Sequence, residues 1–198
     1  MTSVTNKTVA FYDDCALHVK DNARAMGWSS AFSQRLRFEV ITYLVDVSNQ
    51  DVLDVGCGDG AFFHFLEEKS ISLSYSGIDI SSKMVQRAQN RYPGIPVRQG
   101  DFFNHNNQHD VVVCSGALSM SATEDKWLFL SQAIDQLMAI SRTHVVFNLL
   151  SDRATIKDPL FHYYAPKDVL GLCLQKTDYV TLHHSYLPND FTVHLVKL

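Results

Sequence analysis

The stretch Asp51–Gly60, DVLDVGCGDG, decides how this chain is read. An apolar run closes on Asp54 and Val55, and glycines then stand at 56, 58 and 60. Glycine tolerates positive φ and lets a ligand approach the backbone with no Cβ in the way. A short buried strand that runs into such a turn, with a helix behind it, predicts a binding loop at the carboxyl end of a parallel strand. The first N–H groups of that helix suit a polar or anionic group.

The pattern on either side extends the argument. DVLDV reads as a strand, Ala61 to Lys69 as a helix, and LSYSGIDI as a second strand. Ser81 caps a helix that runs to about Arg91, with Pro93 and Pro96 bracketing its end. Val97–Gln99, HDVVVCSG and HVVFNLL follow as strands, with a helix from Glu124 to Ile140 between the last two and another over Lys167 to Leu174. KTDYVTLHHSYL and DFTVHLVKL, joined by Pro188-Asn189-Asp190, read as an antiparallel hairpin. The fold class expected is α/β: one doubly wound, mostly parallel seven-stranded sheet with helices on both faces, closed by that hairpin. Upstream, a helix from Val9 to Met26 ends near Gly27. A second follows Ser29-Ser30, with Phe32, Leu36, Val40, Ile41 and Leu44 near helical spacing. Residues 1–198 are expected to form a single domain, with 1–48 a helical leader or lid and 49–198 the core.

Composition narrows the class. The chain has 198 residues, 46% hydrophobic and 19% charged, which predicts a globular protein. A net charge of −4 disfavours a broad nucleic-acid footprint, which needs a basic face. Four scattered cysteines without a C-x-x-C pair point to a reducing compartment. No apolar run approaches the ~20 residues that span a bilayer, so the location expected is cytoplasmic, without membrane contact. His183 and His184 are strand neighbours on opposite faces, and His105 and His109 fall in a polar loop read as solvated. No metal is expected.

The turn's spacing, G-x-G-x-G, departs from the G-x-G-x-x-G of dinucleotide folds. Asp54 would repel a pyrophosphate and attract an amine, which favours an amino-acid-bearing nucleotide over NAD. Asp79, nineteen positions after Gly60 at the end of the second strand, is placed to accept both hydroxyls of a ribose. Asp101 and the backbone at Phe102, in GDFF, are placed to read an adenine edge. Ser115 and Gly116, in CSGAL, end the fourth strand beside the first turn.

D-V-G-C-G-D-G, G-I-D-I-S, Q-G-D-F and D-V-V-V-C-S-G together resemble the successive motifs of the class I S-adenosylmethionine-dependent methyltransferases. The likeness covers about residues 35 to 198. It implies that fold, called Rossmann-like, and S-adenosylmethionine as cofactor, with S-adenosylhomocysteine as product. It also implies that Gly56, Cys57 and Gly58 line the methionine part and that Asp79 binds the ribose. Ile80 and Phe102 would flank the adenine, and Asp101 would accept from its exocyclic amine. The backbone at Ser115 and Gly116 would approach the ammonium group. The upstream stretch DNARAMGWSSAFSQRLRFEV resembles the leader of a small bacterial group of such enzymes. There Arg37, or less favourably Arg35, would pair with the methionine carboxylate, and Trp28 would cover the cofactor.

A sulfonium already activates its methyl group, so alignment supplies most of the acceleration and a general base is needed only for an acceptor that must lose a proton. His162 and Tyr163, in DPLFHYYAPKDV after the fifth strand, are weak catalytic candidates, and Asn148 is a further one. The expected activity is methyl transfer to a small molecule, with oxygen slightly ahead of nitrogen, by a monomer or weak homodimer. RNA or protein methylation, or cofactor binding without transfer, are the alternatives.

Overall fold

The computed structural model describes residues 3–18, 30–120, 123 and 125–198. Two helices, α1 (Ser3–His18) and α2 (Ala31–Leu44), precede the sheet. The chain then runs through β1 (Asp51–Val55), α3 (Ala61–Glu68), β2 (Ser74–Asp79), α4 (Ser82–Arg91), β3 (Val97–Gln99) and a 3₁₀ turn over Phe102–Asn104. It continues through β4 (His109–Cys114), α5 (Lys126–Ala139), β5 (Ser141–Leu150), α6 (Pro166–Cys173), β6 (Val180–Leu187) and β7 (Asp190–Val196).

The strands form one seven-stranded sheet in the order β3-β2-β1-β4-β5-β7-β6. β1 to β5 pair in parallel, and β7 returns antiparallel between β5 and β6. The period of two along each strand divides its side chains between two cores. Val52, Val111, Val113 and Val146 pack with Phe38, Phe62, Phe65 and Val85 of α2, α3 and α4. Leu53, Val112, Phe147 and Leu149 pack with Leu130, Ile134 and Leu137 of α5 and with Val169 of α6. Helices therefore cover both faces, and the strands are apolar throughout for that reason.

α2 starts where Ser30 supplies a cap: its Oγ accepts the Ser33 N–H at 3.1 Å. Its buried face holds the expected Val40 and Ile41 but not Phe32. Phe32 stands 71% exposed, whereas Arg37 is buried with Ser33, Phe38, Val40 and Ile41. Arg37 turns inward because Asp190 of β7 meets its charge there. Its Nη2 lies 2.9 Å from Asp190 Oδ2, and both side chains are almost fully buried. α1 begins earlier than the sequence suggested, and the stretch expected to carry it to Met26 lies outside the described residues.

Because β2 and β3 extend to one side of β1 and β4 returns on the other, the strand order reverses between β1 and β4. The loops that leave these two strands open a crevice there. That crevice positions the site. Among the described residues no helix is long and apolar enough to cross a membrane.

Candidate active site

Two adjoining cavities open at the carboxyl ends of the strands. The first is lined by Val55 and Gly56 after β1, by Ile78, Asp79 and Ile80 at the end of β2, and by Gly100–Phe103 after β3. Ser115, Gly116 and Ala117 after β4 close its floor, and Thr8 and Tyr12 of α1 lie over it. The second lies beyond, under the loop that follows β5. Tyr12 and Gly116 line both and mark their junction.

Gly56 shows why the sequence needs glycine. Its φ is +72°, and a Cβ there would sit 2.5 Å from the Ala117 Cβ. The two strand-end loops touch at this point, and any side chain would drive them apart. The backbone donors of the turn do not face a ligand, however. The N–H groups of Gly56 and Cys57 donate to the Ile78 carbonyl, and that of Gly58 donates to Asp79 Oδ2 at 2.9 Å. Cys57 and Gly58, expected to line the methionine part, lie behind the cavity wall. Cys57 is buried against Gly77 of β2. They shape the site by holding Asp79.

The N-terminus of α3 is likewise occupied from within. Asp59, fully buried, pairs with Arg91 of α4 and stands where an anionic ligand group was expected. Asp54 is not at the cavity either. Its carboxylate accepts from the Tyr75 hydroxyl at 2.7 Å, and burial raises its pKa to about 7. At that value the carboxyl is close to half ionised at neutral pH.

Asp79 does reach the cavity. Oδ1 accepts from the Ser81 N–H at 2.8 Å and Oδ2 from Gly58. The Ile80 N–H also favours its ionised form, and a carboxylate's four or so lone-pair sites still leave capacity for a hydroxyl donor. Burial, reinforced by Asp13 of α1, lifts its pKa to about 6. Ser81 rather than Asp79 caps α4, its Oγ accepting from Met84 N–H at 3.0 Å. Asp101 lines the cavity while its Oδ1 caps the 3₁₀ turn through the Phe103 N–H at 3.0 Å. Ile80, Phe102 and Phe103 supply apolar surface beside it. On the β4 side, Asn148 of β5 accepts the Gly116 N–H at 2.9 Å and donates to Ser115 Oγ at 3.1 Å. The Gly116 N–H is thus spent on Asn148.

Arg37 belongs to the second cavity, where Asp190 and the Ser33 carbonyl engage it. Its charge is met within the protein. Arg35 pairs with Glu68 on the surface. Trp28 lies outside the described residues. Tyr163 lines the second cavity, its hydroxyl accepting from the Asp158 N–H at 2.9 Å. His162 lines neither; its Nε2 lies 3.0 Å from the Thr123 carbonyl, so it braces a wall.

The histidines expected in solvent are inside. His105 and His109 are 6% and 9% exposed, with their Nε2 atoms 3.0 Å apart. Arg98 can only donate to His105 Nδ1, so His105 donates from Nε2 to His109, which donates from Nδ1 to Asp51. The donors run in one chain from Arg98 to Asp51. The four cysteines are free and buried. Among the described residues no group of three or more His, Cys, Asp or Glu is placed to hold a metal.

Sequence reasoning expected a helix here but missed that α1 meets the cavity. Thr8 and Tyr12, one turn apart, both meet the first cavity, and burial followed by the charge of Asp79 pushes the Tyr12 phenol up. Their i, i+4 spacing was the only available signal.

The comparisons with known proteins agree with this geometry. Residues 52–139 match the family described as a methyltransferase domain. The candidate methyltransferase Rv1506c of Mycobacterium tuberculosis is 31% identical over 150 residues, which cover 71% of this chain and 89% of that protein. Magnesium protoporphyrin IX methyltransferase from Synechocystis, solved with bound S-adenosylmethionine, superposes with a TM-score of 0.74. It is 14% identical, over 100% of this chain and 99% of that one. The DhpI–S-adenosylhomocysteine complex gives 0.67 at 14% identity, over 97% and 96%. A glycine-turn crevice at the switch point of this sheet defines a nucleotide-binding α/β enzyme. The chain belongs to the class I S-adenosylmethionine-dependent methyltransferases, whose methyl donor is S-adenosylmethionine.

Proposed function

We propose that the first cavity holds S-adenosylmethionine and that the second admits a small-molecule acceptor, with oxygen ahead of nitrogen as the atom methylated. The junction of the two cavities at Tyr12 and Gly116 carries this reading. The donor supplies an activated methyl group on a sulfonium. The protein's part is to bind, orient and exclude water.

In this reading Asp79 accepts the ribose hydroxyls. Ile80 and Phe102 flank the adenine, and Asp101 accepts from its amine. Gly56 allows close approach of the methionine part, and the carbonyls at Ser115 and Gly116 face the ammonium. The fit rests on the buried carboxylate, on the apolar slot beside it, and on a turn that a Cβ would fill. Helices α1 and α2 act as a cover on the core of residues 49–198, since α1 reaches the cavity with Tyr12 and meets α4 through Arg87 Nη1 to the Ala16 carbonyl. The net charge of −4 and the reduced cysteines support a cytoplasmic enzyme that does not act on nucleic acid. A monomer or weak homodimer is consistent with this.

Calorimetry with S-adenosylhomocysteine, with NAD as control, tests the ligand. Transfer of labelled methyl into a pool of small metabolites, against tRNA and peptide pools, tests the acceptor class. Binding of S-adenosylhomocysteine alone and label in the metabolite pool are expected. Binding of NAD alone, or label confined to tRNA or peptide, would contradict the reading.

A further inference from the structure

Methyl transfer takes place where the two cavities meet, on the reading that the first holds the donor and the second the acceptor, and the inference rests on that reading. Among the described residues only Tyr12 and Gly116 line both cavities. Gly116 has no side chain, so among these residues Tyr12 supplies the side chain at the junction. Its neighbours in sequence hold it there from both sides. Asp13 Oδ1 accepts from the hydroxyl of Ser81, whose N–H is held by Asp79 at the cofactor cavity. The Phe11 ring meets Phe161, a wall of the second cavity, edge-on with centroids 6.2 Å apart. Arg87 of α4 anchors the following turn of α1 through the Ala16 carbonyl at 3.0 Å.

The chemistry at this point makes one geometric demand. A nucleophile attacks the methyl carbon through a lone pair in line with the breaking C–S bond, so a hydrogen on that nucleophile must point aside. A group that accepts the hydrogen fixes the direction of the lone pair. The other polar side chains near Gly116 are placed to one side of the junction. Asn148 and Ser119 line only the second cavity and Ser115 only the first, and each is already bonded within the protein. The Tyr12 hydroxyl forms no hydrogen bond among the described residues, which leaves both of its lone pairs to accept. Burial and then the charge of Asp79 push the phenol up, so it orients a hydrogen without taking the proton.

We propose that Tyr12 is a catalytic residue of the transfer: its hydroxyl oxygen accepts the hydrogen of the acceptor's reacting O–H or N–H group and so aims that atom's lone pair at the sulfonium methyl. The new bond joins that atom to the methyl carbon while the C–S bond breaks and its electron pair goes to sulfur. The acceptor's proton leaves to water, and Tyr12 keeps its own.

Tyr12→Phe, which removes the oxygen alone, is the variant to measure. NMR on bound S-adenosylmethionine with an isotopically labelled methyl carbon reads whether the hydroxyl lies at the methyl, and needs no acceptor. Calorimetry reads the affinity for S-adenosylhomocysteine. Single-turnover transfer of labelled methyl from the bound donor into a serially diluted extract of small metabolites reads the plateau rate and the half-saturating concentration. The substitution should move the methyl resonance by more than its line width. It should leave the affinity within about twofold and lower the plateau rate about tenfold, the scale of one hydrogen bond, with a smaller change in half-saturating concentration. An unmoved methyl resonance, an unchanged plateau rate, or a loss of S-adenosylhomocysteine affinity that matches the loss of rate would overturn the proposal. Failure of the unsubstituted protein to bind S-adenosylhomocysteine would instead remove the reading beneath it.

Discussion

The two cavities are built differently, although they share Tyr12 and Gly116. The first is made by strand-end turns tied to β2: the N–H groups of Gly56 and Gly100 donate to the Ile78 and Asp79 carbonyls, and that of Gly58 to the Asp79 carboxylate. Its shape follows from glycine at fixed positions and from one carboxylate at the end of β2. The second is assembled from side chains far apart in the chain, such as Arg37 with Asp190 and Asn148 with Gly116. The contrast teaches that a rigid cofactor site can be made from local backbone geometry. The neighbouring pocket depends on long-range pairs instead.

The largest expected effect breaks the first cavity. Gly56→Ala combines positive φ, a cost of about 1–2 kcal/mol, with overpacking against Ala117 of about 1–3 kcal/mol. Calorimetry should find affinity for S-adenosylhomocysteine reduced about 100-fold or more, the equivalent of roughly 3 kcal/mol. Wild-type affinity would show that the two strand-end loops can separate freely.

Asp79→Ala comes next, with about 1–3 kcal/mol of cofactor affinity lost. The same residue gives a pH signature. Its pKa in the absence of ligand is raised to about 6, and hydroxyl donors favour the ionised form. Binding therefore draws the pKa down, so affinity should be full above pH 7 and fall below pH 6, by up to about tenfold per pH unit. A flat profile between pH 5 and 8 would place the ribose elsewhere.

Asp54 sharpens the comparison from behind the wall. A carboxyl whose folded pKa is raised to about 7 contributes stability below its unfolded value, near 4, and loses it as pH rises through 7. Asp54→Asn keeps an acceptor for the Tyr75 hydroxyl and removes the buried charge. Thermal unfolding should show it more stable than wild type at pH 8, by about 1–3 kcal/mol, with no gain at pH 4. Cofactor affinity should barely move.

The smallest effect is expected at His162. Because its ring braces Thr123 and faces neither cavity, His162→Gln should change turnover less than about threefold. A loss of a hundredfold would restore it as a base.

What the sequence made legible follows the same division. The strands β1 to β4, the Ser30 and Ser81 caps and the closing hairpin were readable because turn chemistry and apolar runs are local. Asp79, Ile80, Asp101, Phe102, Ser115 and Gly116 were found at the cavity because each stands at a strand end. Asp54 and Cys57 were assigned the wrong surroundings, since one-residue spacing does not reveal which side of a turn a group faces. Arg37 drew a ligand role because its partner, Asp190, lies 153 positions away. His105 and His109 were read as solvated because their polar neighbours gave no sign of the chain of donors from Arg98 to Asp51.

The most direct test of the account is a crystal structure with S-adenosylhomocysteine. The ribose hydroxyls should lie on Asp79, the adenine between Ile80 and Phe102, and the sulfur at the junction beside Gly116, facing the second cavity. A ribose away from Asp79, or a sulfur turned from that junction, would contradict it.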